Sequence, residues 1–490
     1  MAMRKQLAVG SLWTAGVRAG ISLLGLASTI ILARLLTPED FGLVAVAAVI
    51  YAIVGAFTGL STSAALIQNK SPERDHYDSA LTIEIIRGGL VAFVLFIIGL
   101  FISFYGDPRV ALVMYAFSLI ALIGSLRNPK LVDFQRRLSF QQDLLIQLAD
   151  KFTGLFVSVT IALIFQSFWA IVAGWVASQL VTILLSYILI PYLPRITLKH
   201  WRSLFGFSSW VALGSGVREL NWRGDKLMVN AVLGPSMLGQ YEVGGRLSAL
   251  PVRESVAPLV YVLFPAFSRL QDEGERLKNA YLRAQRILVM VALPVGIGFA
   301  LVAMPLVEFA LGPKWAVAGL VIQVLSTLYA VQALITPFGP MALGLGRTRL
   351  LFLRELVNLG VRFPILVIGF FTGGFIGLLF ARCVGTVFTL VQDLYLARYL
   401  IGTTFREQLL PTWRPVAAAL IMTGVVLGLQ ILGVNAPTVT HIAILVIAGG
   451  VTYLASIVGL WWLAGKPNGP EQEVIEMVQT FLPQAKPASE

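Results

Sequence analysis

The chain has 490 residues, of which 57% are hydrophobic and 13% are charged, whereas about 25% of an average soluble protein is charged. Its mean hydropathy is +0.82. These values exclude a soluble globular domain and a disordered chain. The apolar residues form blocks of about 20, the length at which a helix crosses the hydrocarbon core, and the alternating segments of a membrane β-barrel are absent. The sequence therefore predicts an all-α polytopic membrane protein.

Fourteen apolar blocks are long enough to be membrane spans, and only Gln166 and Ser167 separate the fifth from the sixth. In chain order the spans are 10–33, 41–67, 79–104, 110–126, 144–165, 168–192, 204–232, 237–267, 284–311, 315–345, 350–370, 373–397, 415–434 and 440–464. Two further segments, 127–143 and 471–482, have apolar residues at helical spacing and are predicted to be amphipathic helices on the membrane surface. For both segments, an ordinary polar linker is the alternative.

The basic residues orient these spans. With the N-terminus placed inside, the inner connections hold 24 Lys and Arg, whereas the outer connections hold only Arg34, Arg109 and Lys314. Because cytoplasmic loops carry the excess of Lys and Arg, both termini are expected in the cytoplasm. The net charge of +12 then needs no nucleic acid as a partner. The outer connections are too short for an outer catalytic domain.

An internal repeat divides the chain. The stretch Leu36–Gly42 follows the first span, Leu233–Gly239 follows the seventh, and Pro235 lies 197 residues after Pro38. A shift of six spans keeps both halves in one orientation, which makes this a parallel repeat. We therefore expect two six-helix lobes plus two C-terminal helices. The predicted domains are an N-terminal lobe at 1–200, a C-terminal lobe at 201–400, two peripheral helices at 401–465 and a cytoplasmic tail at 466–490.

No motif of an enzyme is found. The phosphate-binding pattern GxxxxGK[ST] is absent, so we expect neither ATP hydrolysis nor another catalytic activity. The single cysteine, Cys383, lies in an apolar block, and His76, His200 and His441 are far apart in the sequence. We therefore predict no metal site and no bound cofactor.

With Arg286 and Arg354 counted among the inner connections, ten basic residues lie within the predicted spans, where a central Arg or Lys costs about 2.5–3.5 kcal/mol. These basic residues are Arg18, Arg87, Lys151, Arg218, Arg223, Lys226, Arg246, Arg253, Arg362 and Arg382. The clear acidic residues are Glu84, Asp150, Glu219, Asp225, Glu242 and Glu254. Pairing would leave a surplus of roughly four positive charges, and a surplus that faces a wet cavity favours an anionic ligand.

From this surplus we predict a substrate-binding surface for an anion. Its members are Arg18, Arg87, Arg218, Arg223, Arg246 and Arg253, with Arg362 and Arg382 as further members. The alternative for Glu84–Arg87, Glu219–Arg223 and Glu242–Arg246 is a structural ion pair, since each has i,i+3 or i,i+4 spacing. Asp225, Glu84 and Glu242 are candidates for ion coupling, and Asp225 is alternatively a partner of Arg218.

Three stretches carry a family resemblance: Leu35–Gly42, Phe264–Gln271 and Leu311–Trp315. The region from Gly234 to Pro251 also fits. Together they resemble the polysaccharide transporter (Wzx-type) branch of the multidrug/oligosaccharidyl-lipid/polysaccharide exporter superfamily, over nearly the whole chain. The resemblance implies two lobes around a central cationic cavity. It also implies a flippase that moves an undecaprenyl-diphosphate-linked oligosaccharide across the bacterial cytoplasmic membrane by alternating access.

The resemblance further implies H+ or Na+ as the coupling ion, the lipid bilayer as surroundings, and polysaccharide polymerase and glycosyltransferases as partners. Three alternatives are open. A drug exporter of the same superfamily would have about twelve helices and an acidic cavity. A membrane polymerase or glycosyltransferase would need a sizeable catalytic segment. A structural scaffold of the polysaccharide machinery would not transport at all.

Overall fold

The computed structural model describes residues 20–59, 62–68, 71–136, 140–201, 208–432 and 438–466. Within these ranges the regular structure is helical, with no β-strand. The helices are α1 (Gly20–Leu35), α2 (Pro38–Phe57), α3 (Thr62–Gln68), α4 (Arg74–Tyr105), α5 (Pro108–Gly124), α6 (Val132–Arg136), α7 (Phe140–Phe165), α8 (Trp169–Leu189), α9 (Ser208–Arg269), α10 (Gly274–Leu301), α11 (Ala303–Ala310), α12 (Ala316–Gln332), α13 (Phe338–Gly344), α14 (Thr348–Ile401), α15 (Phe405–Leu409), α16 (Trp413–Ile431) and α17 (Thr438–Leu463).

Ten helices of the described ranges are long and apolar enough to cross a membrane, and α1 and α5 are shorter apolar helices. The all-α polytopic class is therefore confirmed, whereas the number of fourteen spans stays a prediction. The break between the fifth and sixth predicted spans is present, because α7 ends at Phe165 and α8 begins at Trp169. Gln166 turns the chain there with a positive φ of 46°.

The two longest helices are each interrupted by one glycine. Gly234 in α9 has φ 81° and ψ 176°, and Gly374 in α14 has φ 57° and ψ −140°. Residues with a Cβ rarely adopt these conformations, so glycine is required at both positions. An unbroken helix of 54 residues would be about 80 Å long, more than twice the hydrocarbon thickness. Each long element therefore supplies two helices, as predicted near residues 232–237 and 370–373.

Contacts within the chain define two compact units. Unit 1 comprises Met1–Val243, Leu311–Val317 and Arg354–Pro364, and unit 2 comprises Gly244–Ala310, Ala318–Leu353 and Ile365–Glu490. The sequence-based division at residues 200 and 400 stays a prediction.

Unit 1 is built on two pairs of consecutive helices that pack together, α4 with α5 and α7 with α8. Helix α5 also contacts α2 and α8. Phe117 of α5 is fully buried, with ring centroids 5.8 Å from Tyr51 and 5.0 Å from Trp175. The Ser118 hydroxyl donates to the Ala92 carbonyl oxygen at 2.8 Å and so joins α5 to α4. Small and aromatic side chains thus fix the helix spacing, as is usual in membrane bundles.

In unit 2, α10 packs against α16, and α16 packs against α17. The Tyr453 hydroxyl of α17 donates to the Met290 carbonyl oxygen at 2.8 Å. The other faces of α16 and α17 expose large apolar side chains, including Leu420 and Ile447. Since no charged residue occurs from Val416 to Ala464, these faces suit contact with lipid.

The predicted surface segment 127–143 contains a 3-10 turn, Pro129–Leu131, followed by α6. The Asn128 side chain caps this turn by accepting from the Lys130 backbone N–H at 3.0 Å. The other predicted surface helix, 471–482, lies outside the described residues.

Candidate functional site

The first repeated motif begins α2 with a complete N-terminal cap. The Thr37 hydroxyl accepts from the Asp40 backbone N–H at 3.2 Å, and the Asp40 carboxylate accepts from the Thr37 backbone N–H at 2.9 Å. Pro38 occupies the first turn, where its missing N–H costs no hydrogen bond. The Thr-Pro-Glu-Asp sequence therefore fixes where the second span begins.

The two copies of the repeat contact each other within unit 1. A Cβ on Gly42 would lie 1.7 Å from the Pro235 carbonyl oxygen, and a Cβ on Gly239 would lie 1.8 Å from the Pro38 carbonyl oxygen. Each glycine stands four residues after the proline of its own motif and meets the proline of the other. Glycine is thus required at both positions because two backbones approach directly.

The third stretch of the family resemblance packs beside them. The Trp315 indole N–H donates to the Ala33 carbonyl oxygen at 2.9 Å, and Lys314 Nζ donates to the Leu36 carbonyl oxygen at 2.7 Å. The Trp315 and Phe41 rings meet edge to face at 5.3 Å. We name residues 33–42, 235–239 and 313–315 the motif junction. In it, Lys314 and Trp315 satisfy carbonyls at the C-terminal end of α1 that have no intrahelical partner.

A second polar region of unit 1 lies on α9 and the neighbouring part of α14. We name it the charged cluster, and its members are Glu219, Asn221, Trp222, Arg223, Asp225, Lys226, Tyr241, Glu242, Arg354, Glu355 and Arg362. Arg223 Nε lies 2.5 Å from Glu219 Oε2, and Lys226 Nζ lies 2.5 Å from Glu242 Oε2. Asp225 is buried and accepts from the Tyr241 hydroxyl and from the Lys226 backbone N–H.

Arg362 joins the two helices of the cluster. This buried guanidinium donates to Asn221 Oδ1 at 3.3 Å and lies over the Trp222 ring at 5.2 Å. Asn221 in turn donates to Glu355 Oε2 at 3.3 Å, and Arg354 donates to Glu355 Oε1 at 2.6 Å. Arg362, Asn221, Glu355 and Arg354 thus form one network in which every residue is hydrogen-bonded or ion-paired. This is how buried charges are tolerated.

The other predicted site residues of unit 1 have different surroundings. Arg87 is ion-paired with Glu84 at 2.7 Å, and Glu84 also accepts from the Thr62 hydroxyl at 2.8 Å. Arg218 is exposed, donates to the Ser215 hydroxyl at 3.1 Å and has no carboxylate partner in the part of the chain that the structure describes. Arg18 lies outside the described residues.

The remaining predicted site residues belong to unit 2. Arg253 is exposed and ion-paired with its neighbour Glu254 at 3.0 Å. Arg246 is exposed, whereas Arg382 is buried. The predicted pairs Glu84–Arg87 and Glu219–Arg223 therefore form, and Glu242 accepts a hydrogen bond from Lys226.

Sequence reasoning missed two buried carboxylates in the predicted spans. Glu355 and Asp393 are 7% and 1% exposed, yet neither entered the count of acids. Glu355 is paired with Arg354 at 2.6 Å, a basic residue of the same span that was counted with the inner connections, so of the two only Asp393 lowers the surplus of roughly four positive charges. A simple count of acids within 350–370 and 373–397 would have found both. Asn221 and Tyr241 carry no charge, so the charge pattern gave no signal for them.

The fold also brings together two histidines that are 124 residues apart. The rings of His76 and His200 are stacked with centroids 3.9 Å apart, and Glu73 lies beside them. Ligand atoms of Glu73, His76 and His200 lie within 4.8 Å of one another, so these residues could hold a metal ion. The separation of 124 residues gave no sign of this proximity. It arises because the segment 190–198 returns to the start of α4.

The comparisons with known proteins agree with one another. The chain is 24% identical over 465 residues to the "Succinoglycan biosynthesis transport protein ExoT" of Rhizobium meliloti (strain 1021), covering 94% of this chain and 92% of that protein. It is 22% identical over 425 residues to the "Lipopolysaccharide biosynthesis protein WzxC" of Escherichia coli (strain K12), covering 85% and 86%.

Among solved structures, the fold is similar to "Lipid II flippase MurJ, inward closed conformation", with a TM-score of 0.73 and 14% identity over 92% of this chain and 99% of that one. It is also similar to a multidrug resistance MATE family transporter of the MOP superfamily, with a TM-score of 0.60 and 16% identity over 80% and 99%. Residues 31–319, more than half of the chain, match the family model described as "Polysaccharide biosynthesis protein". The chain is therefore a member of this polysaccharide biosynthesis family.

Proposed function

We propose that this protein is a flippase that moves an undecaprenyl-diphosphate-linked oligosaccharide from the inner to the outer leaflet of the bacterial cytoplasmic membrane by alternating access. The oligosaccharide lipid that it delivers to the outer leaflet would serve exopolysaccharide, capsule or O-antigen synthesis. The observation that carries the proposal is the end-to-end similarity to a protein named for succinoglycan transport, which spans 94% of this chain. The fold similarity to a structure named as a lipid II flippase supports it.

The basic residues supply a physical reason for this substrate. A diphosphate carries several negative charges, and guanidinium groups bind phosphate oxygens through paired, charge-assisted hydrogen bonds. Arg218 is the most suitable described member, because it is exposed and contacts a hydroxyl rather than a carboxylate. Arg87 and Arg223 are ion-paired, so they would bind substrate only by sharing their guanidinium groups with Glu84 and Glu219.

Alternating access can equilibrate the lipid between leaflets without coupling, but net transport against a gradient needs an energy source, and we propose H+ or Na+ coupling through Asp225. Its carboxylate is buried at 1% exposure and accepts from the Tyr241 hydroxyl. Protonation of a buried carboxylate changes its hydrogen bonding, which suits a coupling site. Glu84 and Glu242 are weaker candidates, since each already accepts from a basic side chain.

The test is a flipping assay in liposomes that contain the purified protein and a fluorescent undecaprenyl-diphosphate-linked oligosaccharide. We expect the wild type to flip the lipid and Arg218→Ala to flip it about tenfold more slowly, the equivalent of one lost charge-assisted hydrogen bond. Arg218→Lys should be intermediate, because an ammonium cannot bind two oxygens in a fork. Arg18→Ala should behave like Arg218→Ala.

The matched control is Arg276→Ala, which removes an exposed arginine that is paired with Glu273 beyond the end of α9. Normal flipping by both Arg18→Ala and Arg218→Ala would remove the assigned role of these arginines. A wild-type protein that is folded but does not flip the lipid would favour the scaffold alternative. Efflux of a cationic drug without flipping would favour the drug exporter.

A further inference from the structure

A polar cavity of about 790 Å³ lies in unit 1, and none of its lining residues belongs to the charged cluster. Its walls come from three places: the start of α4, the segment from the 3-10 turn through α6, and the extended chain after α8. The lining residues are Pro72, Arg74, Tyr77, Lys130, Asp133, Arg136, Pro191, Tyr192 and Leu193. All three wall segments belong to connections that the distribution of Lys and Arg predicts on the cytoplasmic side.

Positive charge dominates this cavity. Arg74, Lys130 and Arg136 line it, and Asp133 is the only acid among the lining residues. Arg136 Nη1 lies 3.7 Å from Asp133 Oδ1, and the Tyr77 hydroxyl donates to that same oxygen at 2.6 Å. The single lining carboxylate is therefore already engaged by two groups of the wall. Arg74 Nε lies 3.7 Å from the buried Asp78 carboxylate behind the wall, so among the lining cations Lys130 is the one whose charge no carboxylate balances in the described ranges.

Lys130 is the best placed of these cations. Its ammonium lies 4.4 Å from the centre of the Tyr192 ring and 5.7 Å from that of Tyr77. In the described ranges it has no carboxylate partner. Ring faces attract the positive charge, but they do not accept three directed hydrogen bonds as oxygen atoms do. The half-buried ammonium thus points to an anionic oxygen ligand in the cavity.

The walls also indicate where this cavity sits. Leu193 lines the cavity and is 85% exposed, and Ile196, three residues later in the same extended segment, is 87% exposed. Large apolar side chains at the end of a membrane helix, next to several cations, are typical of the level of the lipid headgroups. A soluble anion would gain nothing from Leu193 and Ile196, whereas a lipid would bury both its phosphate and its upper acyl chain.

We propose that this cavity binds the phosphate of a lipid headgroup at the cytoplasmic membrane surface, with Lys130 as the central ligand and Arg74 and Arg136 at its sides. The phosphate oxygens accept from the Lys130 ammonium, while the Tyr77 and Tyr192 rings hold that ammonium in place. The acyl chains run along Leu193 and Ile196. Any phosphate-bearing lipid has this chemistry, so the binding does not depend on the transport proposed above.

The experiment is a native mass spectrometry titration of the full-length protein in detergent. The probes are dioleoyl phosphatidylglycerol, dioleoylglycerol, which has the same chains without phosphate, and glycerol 3-phosphate, which has the phosphate without chains. We expect phosphatidylglycerol to bind and Lys130→Gln to weaken it about fivefold, the effect of one basic residue at a membrane surface. Lys130→Arg should bind normally and shows that position 130 tolerates substitution.

Lys199→Gln is the matched control. Lys199 is on the same side of unit 1, forms an exposed ion pair with Asp75 at 2.6 Å and does not line the cavity. Equal weakening by Lys199→Gln would mean that general surface charge attracts the lipid, and would overturn the proposal. Equal binding of dioleoylglycerol would show that phosphate is not recognised. Equal binding of glycerol 3-phosphate would assign the cavity to a soluble phosphate instead of a lipid.

Discussion

The motif junction and the charged cluster both lie in unit 1, but they are held together in opposite ways. The junction depends on missing side chains, because Gly42 and Gly239 let two backbones meet. The charged cluster depends on long side chains that reach across helices, such as Lys226 to Glu242 and Asn221 to Glu355. The junction is therefore sensitive to added volume, whereas the cluster is sensitive to lost charge.

The largest expected effect is at the junction. Gly42→Ala places a Cβ where the Pro235 carbonyl oxygen lies, and overpacking of this kind costs about 1–3 kcal/mol. Gly55→Ala is the control, since Gly55 lies on the same helix with nothing within 4 Å of a Cβ. In that variant alanine should be neutral or stabilise the helix by about 0.5–1 kcal/mol. Thermal unfolding of both purified variants measures the contrast, and equal midpoints would refute the close contact.

A double-mutant cycle on Lys226 and Glu242 tests the cluster. Their side chains are 19% and 17% exposed, so we expect an interaction energy of about 0.5–3 kcal/mol from Lys226→Met, Glu242→Gln and the double variant. The matching cycle on Arg276 and Glu273, which are 75% and 45% exposed, should give less than about 1 kcal/mol. Unfolding free energies provide the measurement. Equal coupling in both cycles would mean that the Lys226–Glu242 pair is as solvated as the Arg276–Glu273 pair.

The smallest expected effect is a pH dependence at the edge of the junction. Arg109 pairs with Glu39 and with Asp107, each at 2.8 Å. The hydrogen bond from the Arg109 side chain holds the pKa of Asp107 below its ordinary value. Because the pKa of Asp107 is lower in the folded state than in the unfolded chain, its ionised form stabilises the folded state at pH values above the ordinary aspartate pKa. This stabilisation is lost as the pH falls through the lowered pKa of the folded state.

Asp107→Asn removes this titration and keeps an oxygen that can cap α5. The difference in unfolding midpoint between wild type and Asp107→Asn should therefore be greatest at neutral pH and should shrink below about pH 4. A difference that does not change with pH would show that Asp107 acts only as a cap. The effect should be small because the Arg109 side chain is 51% exposed.

The sequence predicted features that depend on neighbours along the chain. Apolar blocks gave the membrane class, the break at Gln166 separated α7 from α8, and i,i+4 spacing gave the Glu219–Arg223 pair. Contacts between distant helices could not be predicted, because one sequence does not show which helices are adjacent. Asn221 with Glu355, and His76 with His200, are of this kind.

The reciprocal glycine contacts have a further consequence. In an interface with twofold symmetry, residue i of one subunit meets residue j of the other, and j meets i in return. Gly42 meeting Pro235 and Gly239 meeting Pro38 reproduce this pattern inside a single polypeptide. The junction thus has the form of a homodimer interface whose two subunits have been fused. Substitution at one position has an equivalent at the other, and the two copies of the motif have to diverge while preserving their contact.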